Sequence, residues 1–364
     1  MRRTGVSDSA RSVSRDLPLT RSPTLPLSHS PARPWELRRS LIVLSDILID
    51  TPDRYALPRG RNPERIPLFC LMQRLSKLGP MLFLGAVLSC ANAAPPPSAP
   101  LRVMSFNIRN SNAHDGTNSW AQRRDFFFQT IERFDPALIG FQEVLADQYD
   151  DIAKRMSGYA LVGVARDNGK RKGEWALAAY RKDRFEPLGS GDFWLSEHPE
   201  VAGSKSWDAA LTRICTWVRL RERASNREML YANTHFDHRG PLARENSARL
   251  MVSKLGKMAN GKPIILTGDF NANEDSEAYA VIARSEGGVA AWLIDSYREV
   301  HPQRLPEEAS FNGFKPVVKG SRIDFIFHSG QLKAVASTIE RSRSPEGRFA
   351  SDHYSVTAVL EFGN

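Results

Sequence analysis

From Leu101 onward, short apolar runs alternate with longer stretches of helical periodicity. Leu101–Ile108, Ala137–Val144, Trp175–Tyr180, Ile214–Leu220, Met229–Thr234, Pro263–Thr267, Ile323–Phe327 and Tyr354–Leu360 are rich in β-branched or aromatic residues and bounded by turn formers, which predicts strands. Arg123–Phe134, Ala146–Met156 and Leu242–Met258 have the spacing of amphipathic helices. Many of the strands are apolar at consecutive positions, as expected of sheets covered on both faces. A layered α/β domain spanning residues 101–364 follows.

The first hundred residues follow a different pattern. Residues 1–40 are rich in Arg, Ser and Pro and lack periodicity, a composition that cannot bury enough apolar surface to offset chain entropy. Residues 1–71 are therefore expected to be disordered, or to be upstream sequence if translation starts at Met72 rather than Met1. From Met72, Arg74 and Lys77 precede the apolar run Met81–Leu88 and the small residues Ser89–Ala94, the three parts of a secretory signal. Cleavage after Ala93 fits Ala91-Asn92-Ala93, and residues 95–100, opening with Pro95-Pro96-Pro97, form a stiff linker. An exported protein is expected, periplasmic or extracellular; Cys90 offers a lipoprotein alternative. The run is too short for a permanent membrane span. Mass spectrometry of the native N-terminus distinguishes the two starts.

Composition changes this picture in one respect. The net charge of +9 suggests a polyanion partner, but residues 1–100 hold +7 of it, which leaves +2 for the rest. A nearly neutral domain is not built chiefly to grip nucleic acid, although a local basic groove remains compatible with that charge. Hydrophobic residues at 41% are enough for a sizeable core. Of the three cysteines only Cys215 follows the leader, so the domain has no internal disulfide; lying between Ile214 and Thr216, it reads as a small core residue. The chain has no CxxC pair, GxSxG elbow, dinucleotide or Walker loop, and no fixed repeat.

What carries chemistry is the position of the polar residues. Asn107, Glu143, His235 and Asp269 each follow an apolar run, and Asp324 sits within one. Ser351-Asp352-His353 precedes the last strand. Burying an unpaired carboxylate costs on the order of several kcal/mol, so one shared site at a sheet edge is the economical solution. Taken singly, each has a bland reading: Asp269 and Asn271 as an Asx turn or helix cap, Glu143 as a surface ion pair, His235 as a core histidine. All of them together in this order do not.

Asn107, Gln142-Glu143, Asn233-Thr234-His235, Gly268-Asp269-Phe270-Asn271, Asp324 and Ser351-Asp352-His353 together resemble the motif series of the endonuclease/exonuclease/phosphatase superfamily, over essentially all of Leu101–Phe362. The loops are similar to those of a bacterial secreted branch, distantly similar to the deadenylase group. The resemblance implies a four-layer α/β sandwich, two mixed β-sheets face to face with helices outside, and a Mg²⁺-dependent hydrolase, with Mn²⁺ as a substitute. It implies Glu143 as the principal metal ligand, Asn107 supplying an oxygen nearby and Asp352 as an outer or second ligand. His353 paired with Asp324 is then a general base or a phosphate contact. Asp269 orients or deprotonates the attacking water, Asn271 holds a phosphoryl oxygen, and His235 stabilises developing charge or protonates the leaving group.

Arg213, a cation in an apolar strand, reads equally as a phosphate ligand or a buried ion pair, and His238 as a substrate contact or a loop stabiliser. Asp115–Trp120, Phe193–Ser196, Trp207-Asp208 and Phe311–Phe314 put aromatics in predicted loops, where they stack on substrate or close satellite cores. The expected substrate is a small or sugar-linked phosphate ester. A nuclease, cutting DNA internally or RNA from its 3′ end, is the second reading. A lipid-headgroup esterase and a non-catalytic binding module follow. Oligomeric state is not readable from the chain.

Overall fold

The computed structural model describes residues 99–283 and 292–363; the leader, the signal-like segment at 72–94 and the first part of the linker lie outside them. The elements form two six-stranded sheets, ordered β11 (Leu332–Glu340), β12 (Ser355–Phe362), β1 (Leu101–Asn107), β2 (Leu138–Val144), β4 (Trp175–Arg181), β3 (Tyr159–Val162), and β5 (Phe185–Trp194), β6 (Ile214–Glu222), β7 (Glu228–His235), β8 (Ile264–Asp269), β10 (Asp324–His328), β9 (Ile294–Asp295). The strands at the centre of the first are β1 (Leu101–Asn107), β2 (Leu138–Val144) and β12 (Ser355–Phe362). Those of the second are β7 (Glu228–His235), β8 (Ile264–Asp269) and β10 (Asp324–His328). The parallel pairs β1–β2 and β7–β8 require crossovers, supplied by helices α1 (Trp120–Phe134) and α3 (Pro241–Ala259); α2 (Ala146–Arg155) follows β2.

Three apolar clusters define four layers. Leu101, Val103, Leu138, Tyr231, Ile265, Ile326 and Val356 pack between the sheets. Met104, Phe106, Phe127, Ile131 and Ile139 join the first sheet to α1, and Leu230, Leu266, Met251, Leu255 and Phe325 join the second to α3. Strand side chains alternate, so each strand feeds two clusters, which explains the consecutive apolar positions. The inner faces also change character along their length. Leu101, Val103, Ser105 and Asn107 face inward along β1, and Met229, Tyr231, Asn233 and His235 along β7. Apolar at one end and polar at the other, these rows place the polar residues at one edge of the sandwich, at the carboxyl ends of the parallel strands where open α/β sheets bind ligands.

The sequence pattern misses β3 (Tyr159–Val162), β5 (Phe185–Trp194), β9 (Ile294–Asp295) and β11 (Leu332–Glu340). The physical reasons are visible: β5 contains Pro187, Gly189 and Gly191 with a register shift between Pro187 and Gly189, and β11 is an edge strand whose alternation is broken by a shift between Ala334 and Ala336. Phe193 and Trp194 are accordingly buried strand residues rather than loop residues. Two short helices, α4 (Glu277–Ala283) and α5 (Ser296–Val300), are also missed, and α1 starts three residues before its predicted first residue, Arg123. No helix among the described residues is long and apolar enough to cross a membrane.

Close apposition of the sheets is visible at Gly140. A Cβ there would lie 2.1 Å from Thr267 Oγ1 and 2.3 Å from Asn233 Oδ1, both on the facing sheet. Gly140→Ala is therefore expected to destabilise the domain by about 1–3 kcal/mol in urea unfolding, the usual cost of overpacking; no loss of stability would mean that the sheets can separate freely.

Candidate active site

Strand register assembles most of the site. His235 pairs with Asp269 across β7–β8, and Asp269 with Asp324 across β8–β10, so the three form one row. From the first sheet, Asn107 ends β1 and Glu143 sits near the end of β2. Glu143 would face the helices by simple alternation. Its left-handed φ of 63° and the register shift between Phe141 and Val144 turn it toward the row instead. His353 precedes β12, beside β1.

Asn107 Nδ2 donates to Glu143 Oε1 at 3.0 Å and to Asp269 Oδ2 at 2.9 Å, tying the sheets together. Its own oxygen accepts the Arg109 N–H at 3.0 Å, which fixes the amide orientation. Glu143 Oε2 accepts both N–H groups of Asn110, at 3.1 and 2.9 Å. His353 Nδ1 lies 2.9 Å from Asp324 Oδ2, and its Nε2 is 3.8 Å from Asp269 Oδ2. Asn271 donates its N–H to Asp269 Oδ1 at 2.9 Å; its side-chain amide donates to Phe236 O at 3.1 Å and to His235 Nε2 at 3.0 Å. That contact leaves the His235 proton on Nδ1, a buried atom with no hydrogen-bond partner, 3.9 Å from Glu174.

The titratable groups are driven apart. Burial disfavours the charge on Glu143, but the Asn107 amide, the His353 charge and the Asn110 donors outweigh it and hold the carboxyl below its ordinary range. Burial and then the neighbouring Asp324 raise Asp269. Burial also opposes the His353 imidazolium, yet Asp324, Asp269 and Asp352 together keep it protonated well above the usual histidine range. His235 moves the other way: burial, then Arg213 and Arg166, hold it neutral. Asp352 is raised by burial against the opposing charge of His353.

Glu143, Arg213, His235, His238, Asp269, Asn271, Asp352 and His353 line one cleft of about 370 Å³. Asn107 and Asp324 lie directly behind it, each bonded to a lining residue. All ten residues singled out in the sequence thus come together. Arg109, Asn110, Arg166 and Glu174 also line the cleft and were not singled out. Arg166 and Glu174 form an ion pair at 2.6 Å in a hairpin just before β4 (Trp175–Arg181), where only the Gly173-Glu174-Trp175 step signalled a carboxylate at a strand mouth. A larger hollow of about 760 Å³ at the other end of the strands, around Arg102, Ala137 and Arg184, contains no imidazole. The candidate catalytic residues line the smaller cleft.

The aromatic loops divide. Phe311 is 48% exposed at the cleft rim and sets its ring edge-on to His353, with centroids 5.1 Å apart. Trp120 is the first residue of α1, buried against Phe127 and Phe128, and the Asp208 carboxylate accepts the Leu242 and Ala243 N–H groups at the start of α3. Cys215 is fully buried, and burial raises its thiol, as befits a packing residue.

A double sheet that closes acids and imidazoles of opposed proton affinity around one cleft has the groups that acid–base chemistry needs. Residues 104–353 match the model of the Endonuclease/Exonuclease/phosphatase family, and the chain belongs to that family, a hydrolase acting on phosphate esters. A mannosyl-6-phosphatase from Bacteroides thetaiotaomicron is 37% identical, with a TM-score of 0.66 over 72% of this chain and 100% of that one. An endonuclease/exonuclease/phosphatase from Bacteroides vulgatus is 35% identical, with a TM-score of 0.67 over 73% of this chain and 100% of that one. Nocturnin from Drosophila melanogaster is 22% identical over 74% of this chain, which spans 48% of the fly protein, about half its length.

The Asp324–His353 pair makes a direct prediction. In Asp324→Asn, burial of the ring is no longer outweighed, so the His353 titration seen by NMR should fall from well above about 6.5 toward or below it, and phosphoesterase activity should drop by about 100-fold or more. An unchanged titration would show that Asp324 does not set the charge of the ring.

Proposed function

We propose that this chain hydrolyses a small or sugar-linked phosphate ester with a divalent metal ion, Mg²⁺ by preference and Mn²⁺ as a substitute. The observation that carries this reading is geometric: Glu143, Asp269, Asp352 and His353 line one cleft, with His353 2.9 Å from Asp324, and burial and neighbours push Glu143 below and Asp269 above the ordinary carboxylate range. Glu143 and Asp352 present the hard oxygen donors that suit Mg²⁺. Asn107 has its amide N–H groups on two carboxylates and its oxygen on the Arg109 N–H, so it holds the carboxylates together while a second lone pair on that oxygen would still serve a metal. Asp269, Asp324 and His353 also bring one ligand atom each within 4.8 Å of one another. In this group His353 Nδ1 lies 2.9 Å from Asp324 Oδ2, a contact that supports proton handling by the pair. A bound ion would neutralise charge on the phosphoryl oxygens.

The protein's own groups supply the rest. Asp269, buried and with raised proton affinity, takes a proton from the attacking water, while the Asn271 N–H fixes which oxygen faces the cleft. His353 holds its charge toward a phosphoryl oxygen through Nε2, oriented by Asp324. His235, being neutral, donates a hydrogen bond to developing charge instead of transferring a proton.

Two observations support a small ester. The region after the leader carries only +2, and the mannosyl-6-phosphatase is matched at far higher identity than Nocturnin. The signal-like residues 72–94 support an exported enzyme. The purified protein, with Mg²⁺, should release phosphate from sugar phosphates, or p-nitrophenol from p-nitrophenyl phosphate or bis-p-nitrophenyl phosphate. It should leave single- and double-stranded DNA and RNA intact and lose activity in EDTA. Asp269→Ala and His353→Ala should each reduce hydrolysis by about 100-fold or more. Cleavage of DNA or RNA instead would establish the nuclease reading.

A further inference from the structure

On the β7 side of the reaction centre the cleft wall is Arg213. It directly precedes β6 (Ile214–Glu222), beside the strand end that delivers His235, and it is 4% exposed. Its Nη2 donates to His238 Nδ1 at 3.2 Å. Its nearest acid is Asp237, whose Oδ2 lies 3.6 Å from Nε, but that carboxylate is already committed to the backbone. Asp237 accepts the N–H groups of Leu211 at 3.0 Å, Arg239 at 2.9 Å and Gly240 at 2.8 Å. Arg213 Nε and Nη1 are left buried with no hydrogen-bond partner, and so is Nε of Arg166 on the same cleft. A plain structural ion pair would have satisfied these donors; left without a protein partner, they suit an incoming anion that can offset their desolvation.

We propose that Arg213, assisted by Arg166, is a specificity-determining residue that takes the doubly charged terminal group of a phosphate monoester and so favours monoesters over diesters. The inference rests on the phosphate-ester reading and narrows it. A monoester brings two charges and three unsubstituted oxygens. A diester brings one charge and a second carbon arm. Set against that arm, the buried N–H groups stay unpaired, and a site built to hydrogen-bond one group rejects the analogue that lacks it. The guanidinium fork also matches two phosphoryl oxygens at once, which a lysine cannot do.

The test compares p-nitrophenyl phosphate with bis-p-nitrophenyl phosphate, and inhibition by inorganic phosphate with inhibition by dimethyl phosphate, in wild type, Arg213→Gln and Arg213→Lys. In wild type, inorganic phosphate should inhibit at a concentration about tenfold or more below that of dimethyl phosphate. In Arg213→Gln, monoester kcat/KM should fall by about 10- to 100-fold, inorganic phosphate should weaken in parallel, and the monoester-to-diester ratio should fall by about tenfold. Lysine should restore part of the ratio. Equal losses on both esters, or unchanged inhibition by inorganic phosphate in a folded Arg213→Gln, would overturn the proposal. Should that variant not fold, equal inhibition of wild type by the two phosphates overturns it. A wild type that cleaves neither ester instead defeats the broader reading, and calorimetric titration of wild type with inorganic phosphate and dimethyl phosphate then decides the role of Arg213.

Discussion

One amide group couples the two halves of this molecule where the chemistry takes place. Asn107, on the first sheet, donates to Glu143 on its own sheet at 3.0 Å and to Asp269 on the other at 2.9 Å. Two buried carboxylates this close repel, and each alone would cost on the order of several kcal/mol to desolvate. The shared donor and the adjacent His353 cation make the arrangement tolerable. For that geometry the sheets must meet closely, and the interior shows how. Gly140 leaves room for Asn233 and Thr267, while Asn233 takes a hydrogen bond from Gln142 at 2.7 Å and donates to the carbonyls of Phe141 and Leu177.

Function follows from how the same burial acts on different partners. Desolvation works against every charge in the cleft, so the charge each group keeps is decided by what faces it. Glu143 meets amide donors and a cation and stays ionised. Asp269 meets a second acid and gains proton affinity. His353 meets three acids and holds its proton, while His235 meets two arginines and gives its proton up. Proton affinities are thereby separated within one cleft by environment rather than by residue type.

Much of this was legible in the sequence, for a definite reason. A polar residue at the end of an apolar strand is costly unless used, so Asn107, Glu143, His235, Asp269 and Asp324 stood out without any knowledge of the fold. The division into two sheets was not legible bottom-up, because alternating burial on two apolar faces gives the same consecutive pattern as burial between helices; that expectation came from family resemblance, and the clusters bear it out. Arg166 and Glu174 escaped notice because they lie in a charged hairpin, Arg166-Asp167-Asn168-Gly169-Lys170-Arg171-Lys172, that looks like solvated surface. Phe193 and Trp194 were read as loop because Pro187, Gly189 and Gly191 break the strand pattern before them.

In the proposed reaction Glu143, set by Asn107 and Asn110, would anchor the metal on which hydrolysis would depend. The most direct measurement is the Mg²⁺ dependence of phosphate-ester hydrolysis in wild type and in Glu143→Gln, beside calorimetric Mg²⁺ binding to both. The account predicts that the variant binds Mg²⁺ at least about tenfold more weakly and that hydrolysis falls with it, as expected when a charged ligand is replaced by a neutral one. Mg²⁺ binding and activity that are the same in both proteins would contradict it.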